Sequence, residues 1–167
     1  MFEMPDTKTC IHNVMQIWQQ HVSKGNQAFD SCQFSYANLL YADCLIALEQ
    51  IEAEIESDSP PPEAWIVDQY IPAVVVSYLN LVDSNIAQQN INNACDLLVE
   101  GYKSVCKCAA HIFTSTQSSH QLIVLKHLSQ LKHHCFVLLK QYGDDANIVS
   151  KLHTIMNTIS AQNNTIH

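Results

Sequence analysis

Lys24-Gly25-Asn26-Gln27-Ala28-Phe29-Asp30-Ser31-Cys32-Gln33-Phe34-Ser35-Tyr36-Ala37, continuing through Tyr41, Cys44 and Leu48, decides the fold. The stretch reads as a helix, a tight corner near residues 31–33, and a second helix folded back on the first. Gly25 stands where two helices approach so closely that a Cβ would intrude. Ala37 is the matching small residue on the return helix, which predicts that Gly25 and Ala37 face each other. Phe34, Tyr41 and Leu48, at helical steps from Ala37, are expected to fill the seam around them.

Working outward, Ile11, Val14, Met15, Trp18, Val22, Gly25, Ala28 and Phe29 recur at three- and four-residue steps. They predict one amphipathic helix from Asp6 or Thr7 to about Asp30. Its partner runs from about Gln33 to Glu56 and is stopped by Pro60-Pro61-Pro62, which cannot continue a helix. A third helix is predicted over 63–88, kinked or broken at Pro72. A polar corner at 88–90 then turns the chain, and Ile91, Ala94, Leu98 and Gly101 stand where Phe34, Ala37, Tyr41 and Cys44 stood. Val82 takes the place of the early glycine. After a polar loop at 114–119 comes a third hairpin, with an apolar face at Leu122, Leu125, Leu128, Leu131, Cys135, Leu138, Leu139 and Tyr142. Gly143 ends that helix and Asp144 or Asp145 caps a last one over about 145–160.

Gly25, Ala28, Phe34, Ala37, Tyr41 and Cys44 together resemble the pattern of a tetratricopeptide repeat (TPR): a glycine and a small residue on helix A, then an aromatic and small residues on helix B. The resemblance implies an all-α fold, a right-handed α-α superhelix of about three antiparallel helix pairs. The hairpins would lie at about 7–57, 63–113 and 119–160 of a single domain. Ala37 and Ala94 are 57 residues apart, against a repeat period of about 34, so the layout is elongated and diverged. It is similar to small, uncharacterised bacterial TPR-like proteins. The resemblance also implies a groove lined by the A helices, whose inner positions are Val22, Asn26, Phe29, Leu79, Asn80, Asp83 and Ile86. Asn26 and Asn80 match asparagines that hold a partner's terminal carboxylate in some members of the family. Val22 stands where the accompanying lysine would be, which leaves that clamp incomplete.

Three Gly and five Pro in 167 residues leave little turn chemistry for a many-stranded sheet. All eight basic residues are lysines. Residues 1–100 hold two lysines against fourteen acids, a net of −12, and residues 101–167 hold six against two, a net of +4. An acidic chain without arginine is a poor nucleic-acid binder. The polarity between its ends predicts oriented encounters with partners. Glu49, Glu52, Glu54, Glu56 and Asp58 crowd one helix C-terminus, the wrong sign for its dipole. They read as a solvated face or a docking patch for a basic partner. The segment 1–11 lacks the apolar run of a secretory signal. The apolar run 71–82 falls short of a membrane span. A cytoplasmic protein with reduced thiols is expected, since its seven scattered cysteines do not frame disulfides.

For chemistry, Cys106, Cys108 and His111 are the nearest approach to a metal-ligand cluster, with His133, His134 and Cys135 on the neighbouring helix. A structural zinc site needs four converging ligands, and Cys106 points away from Cys108 on a helix, so no metal and no cofactor is expected. His120, His127 and His134, spaced by seven, read as a polar stripe opposite the leucine face. No phosphate-binding glycine loop, nucleophile elbow or zinc-protease motif occurs, and no catalytic residue is assigned. The expectation is a non-enzymatic adaptor or chaperone-like module binding a peptide or helix of a partner protein. The alternatives are a homodimer and a Cys/His metal- or redox-responsive regulator.

Overall fold

The computed structural model describes residues 7–112 and 118–163. Six helices carry the chain: α1 Thr7–Asp30, α2 Phe34–Ile55, α3 Glu63–Ala87, α4 Ile91–Ile112, α5 Ser118–Tyr142 and α6 Ala146–Asn163. No strand occurs among the described residues. The fold is all-α. Helices α1 and α2 pack along each other, α2 packs on α3, α3 on α4, and α4 on both α5 and α6. Each hairpin therefore leans on the next along the chain.

The first two corners share one geometry. Cys32 and Gln89, 57 residues apart, take left-handed conformations with φ of 59° and 61°. Gln33 N–H donates to the Ala28 carbonyl and Cys32 N–H to that of Phe29. Asn90 donates to Asn85 and Gln89 to Ile86 in the same pattern. These paired bonds are a Schellman cap, which satisfies the last carbonyls of a helix and reverses the chain. The 57-residue spacing is thus a structural period of the first two hairpins. Long helices account for it: α1 has 24 residues and α2 has 22.

Gly25 is required, but by a different neighbour from the one expected. A Cβ there would stand 2.5 Å from Cε1 and 2.8 Å from Cδ1 of Tyr41. Small meets large across this seam, with Ala37 fully buried beside Ala28, Leu40, Tyr41 and Leu81. The second hairpin reverses the arrangement: Gly101, on the return helix, makes room for Tyr78 of α3. Phe34 closes the first corner edge-on against Phe29, ring centroids 5.2 Å apart.

Pro72 neither breaks nor ends α3. The helix widens into a π-turn at Ile66–Tyr70, directly before it. Proline lacks the N–H and crowds the carbonyl four residues back, and a widened turn accommodates both. The whole of Glu63–Ala87 is long and apolar enough to cross a membrane, further than the run 71–82 alone suggested. Its most apolar window is 56% buried inside the protein, as expected of a central core helix.

On α5 the buried seam is Val124, Leu128, Leu131, Cys135 and Leu138. Leu122 and Leu125, expected in that seam, are instead exposed, at 66% and 45%. The helix is apolar on two sides, and periodicity alone could not say which side faces inward. The histidine stripe is likewise displaced. His120 Nδ1 lies 2.6 Å from Glu63 Oε1, so this stripe borders α3 and does not stand opposite the core.

Candidate partner-binding groove

Of the residues expected to line a groove, Val22, Asn26 and Phe29 lie on α1 and Leu79, Asn80, Asp83 and Ile86 on α3, two helices with a valley between them. Val22, Phe29, Leu79, Asn80 and Ile86 are half-buried, while Asn26 and Asp83 are exposed. Two ties cross the valley. Trp18 Nε1 donates to Ser77 Oγ at 2.9 Å, and Ser77 in turn donates to the Ala73 carbonyl. Nearer the corner, Asn26 Oδ1 accepts from Tyr41 Oη at 2.8 Å and from Asn80 Nδ2 at 3.4 Å. The two asparagines singled out for a carboxylate clamp therefore engage each other.

Beside them stands Asp83. Although its surface is open to water, the protein around its carboxylate raises its pKa, a shift that His134 of α5 partly opposes. An acidic side chain here disfavours a ligand carboxylate. The polar network continues toward the corner, where Asn85 donates to Asn38 Oδ1 and accepts from Asn93, and Ser84 donates to the Phe34 carbonyl. Asn85 and Ser84 are buried and satisfied, which fixes α2, α3 and α4 in one register.

Sequence reasoning missed the wider end of the valley. Ile11, Met15, Gln19, Trp65, Gln69 and the prolines 60–62 enclose a cleft of about 590 Å³. Pro61 is buried, and the Pro62 carbonyl accepts from the N–H groups of Trp65 and Ile66. The linker thus forms a wall of the cleft. Val76, 38% exposed, continues the α3 face of Asn80 and Asp83. It was legible in principle as the residue seven before Asp83.

The cysteines are spread through the core and its margins. Cys44, Cys95, Cys108 and Cys135 are buried, Cys106 is half-buried, and the side chain of His111 lies outside the described residues. Burial pushes the Cys44 thiol up to about 12 and those of Cys95, Cys108 and Cys135 to about 11, which keeps them protonated and inert. Among the described residues no three His, Cys, Asp or Glu side chains converge as a metal site. Part of the acidic end of α2 is engaged internally. Lys107 of α4 reaches Glu52 at 2.8 Å and Glu56 at 2.5 Å.

Residues 16–167 match the family described as protein of unknown function (DUF2753). The chain belongs to that family. The match takes in all of α2 to α6 and most of α1, so both walls of the valley are family structure. No curated protein and no solved structure matches the chain.

Proposed function

We infer that this DUF2753 chain is a non-enzymatic protein-interaction module of TPR-like build, binding a peptide or helix of a partner in the α1–α3 valley. The observation that carries this reading is the valley itself. Its apolar residues Val22, Phe29, Leu79 and Ile86 keep part of their surface open, and it widens into the cleft at Trp65. Concave, largely apolar surfaces with a few fixed polar groups suit an extended or helical segment. Asp83 and the acidic first hundred residues favour a neutral or basic segment over one ending in a carboxylate.

The reading is tested with peptides selected against the purified protein from a random display library. Binders should lose affinity about tenfold or more on Leu79→Glu or Trp65→Ala, since central apolar anchors dominate such interfaces. Ser150→Glu, exposed on α6, should leave them unaffected. Binders indifferent to both valley substitutions would overturn the assignment.

A further inference from the structure

Two helix faces outside the valley are apolar, exposed and opposite in charge. On α2, Tyr36, Leu39 and Ile46 are 53%, 65% and 58% exposed and fall at the three- and four-residue steps of one stripe, with Asp43 in the middle. On α5, Leu122, Leu125 and Phe136 keep one register, with Ser129 and Lys132 at the two positions between, on the side away from the buried seam of Leu128, Leu131 and Leu138. Both stripes have the spacing that lets two helices interlock side by side.

Charge decides what covers them. Helix α2 carries Asp43, Glu49, Glu52 and Glu54 and no basic residue, Glu52 being turned to Lys107 of α4. Helix α5 carries Lys126, Lys132 and Lys140 and no acidic residue. Two copies of either face brought together would repel, whereas α2 against α5 attracts. The helices belong to the first and last hairpins, and arrays of stacked hairpins ordinarily need a polar outer face on their terminal units. Here both helices place large apolar side chains among the polar residues of that face.

We propose that a second copy of this chain covers these faces, the α2 stripe of one molecule packing against the α5 stripe of the next. Such a contact is heterologous: each molecule contributes a different surface, so the pair retains one unused face of each kind. The assembly therefore grows as an open chain unless its rotation closes a ring. Like charges within each face suppress the symmetric pairings.

The test is sedimentation of the purified full chain over a roughly hundredfold concentration range, where mass action should shift it from monomer to larger species. Leu39→Glu with Ile46→Glu, and separately Leu125→Glu with Phe136→Glu, should each give a monomer at every concentration. Mixing the two variants leaves one intact pair of faces and should yield a discrete one-to-one dimer and nothing larger. These side chains are exposed, so the variants should keep the wild-type helical content. A charge-only pair, Lys126→Glu with Lys140→Glu, should weaken association, and mixing it with the pair Asp43→Lys and Glu49→Lys should restore species larger than the dimer that their one wild-type pair of faces gives. A wild-type chain monomeric throughout, a pair of variants that fails to dimerise on mixing, or association insensitive to both faces would each overturn the proposal.

Discussion

At the scale of single residues, the fold depends on two glycines that serve no turn. Alanine at Gly25 would gain about 1 kcal/mol in helix propensity, but its Cβ meets a Tyr41 ring that is 2% exposed and held by Asn26. Overpacking of this kind costs about 1–3 kcal/mol. Gly25→Ala should therefore lower stability in urea, and pairing it with Tyr41→Leu should recover part of the loss. Gly101→Ala should be at least as damaging, because its Cβ would stand 2.9 Å from the Cβ of Tyr78, an atom that no rotamer moves aside. Asp83 supplies a pH signature. Its pKa is raised in the folded protein, so its contribution to stability is present below the ordinary carboxyl value of 3.8 and is lost as pH rises through the folded-state value. Asp83→Asn should melt with the wild type in acid and above it at neutral pH, and coincident melting curves at both would count against the assignment.

At the scale of elements, the hairpin corners store a small, removable strain. Cys32 and Gln89 hold the left-handed conformation that normally falls to glycine at this cap position. A side chain there costs roughly 1–2 kcal/mol, while a new glycine adds unfolded-state entropy worth about 0.4–1 kcal/mol. Cys32→Gly and Gln89→Gly should each raise stability by a net of about 0.5–1 kcal/mol, measured by thermal or urea unfolding. Equal effects at both sites would follow from their shared cap, whereas a loss at either would mean that the side chain contributes a contact of its own. Helix α3 illustrates a different accommodation. Its π-turn at Ile66–Tyr70 lets a proline sit inside a 25-residue helix that touches α2, α4 and α5.

At the scale of the whole molecule, hairpins are joined by polar ties of unequal worth. Trp18 to Ser77 joins α1 to α3 with Ser77 fully buried, so Ser77→Ala would orphan the indole N–H at a cost of about 1–3 kcal/mol. Lys151 to Asp96, at 2.6 Å, joins α6 to α4 at the surface. Exposed pairs of that sort contribute about 0–1 kcal/mol, so Lys151→Ala should be nearly silent in the same unfolding measurement. A reversed order would mean that the last hairpin, and not the first, holds the array together.

The helices and their order could be read from the residues alone, because apolar periodicity, prolines and corner chemistry act over a few residues. Corner positions at 31–33 and 88–90, the stop at Pro60-Pro61-Pro62 and the restart of the pattern at Ala94 were all legible on those terms. Partners were not, because a small residue signals close approach without saying what approaches. At Gly25 the nearest neighbour is the Tyr41 ring. Nor could periodicity choose between the two apolar sides of α5, since Leu122 and Leu125 obey helical spacing as well as Val124 and Leu128 do. Only the packing of α4 and α6 against that helix decided which side is core. The cleft at Trp65 came from the same source: residues 11–19 and 60–69 are distant along the chain, and only the packing of α2 against both α1 and α3 brings them together.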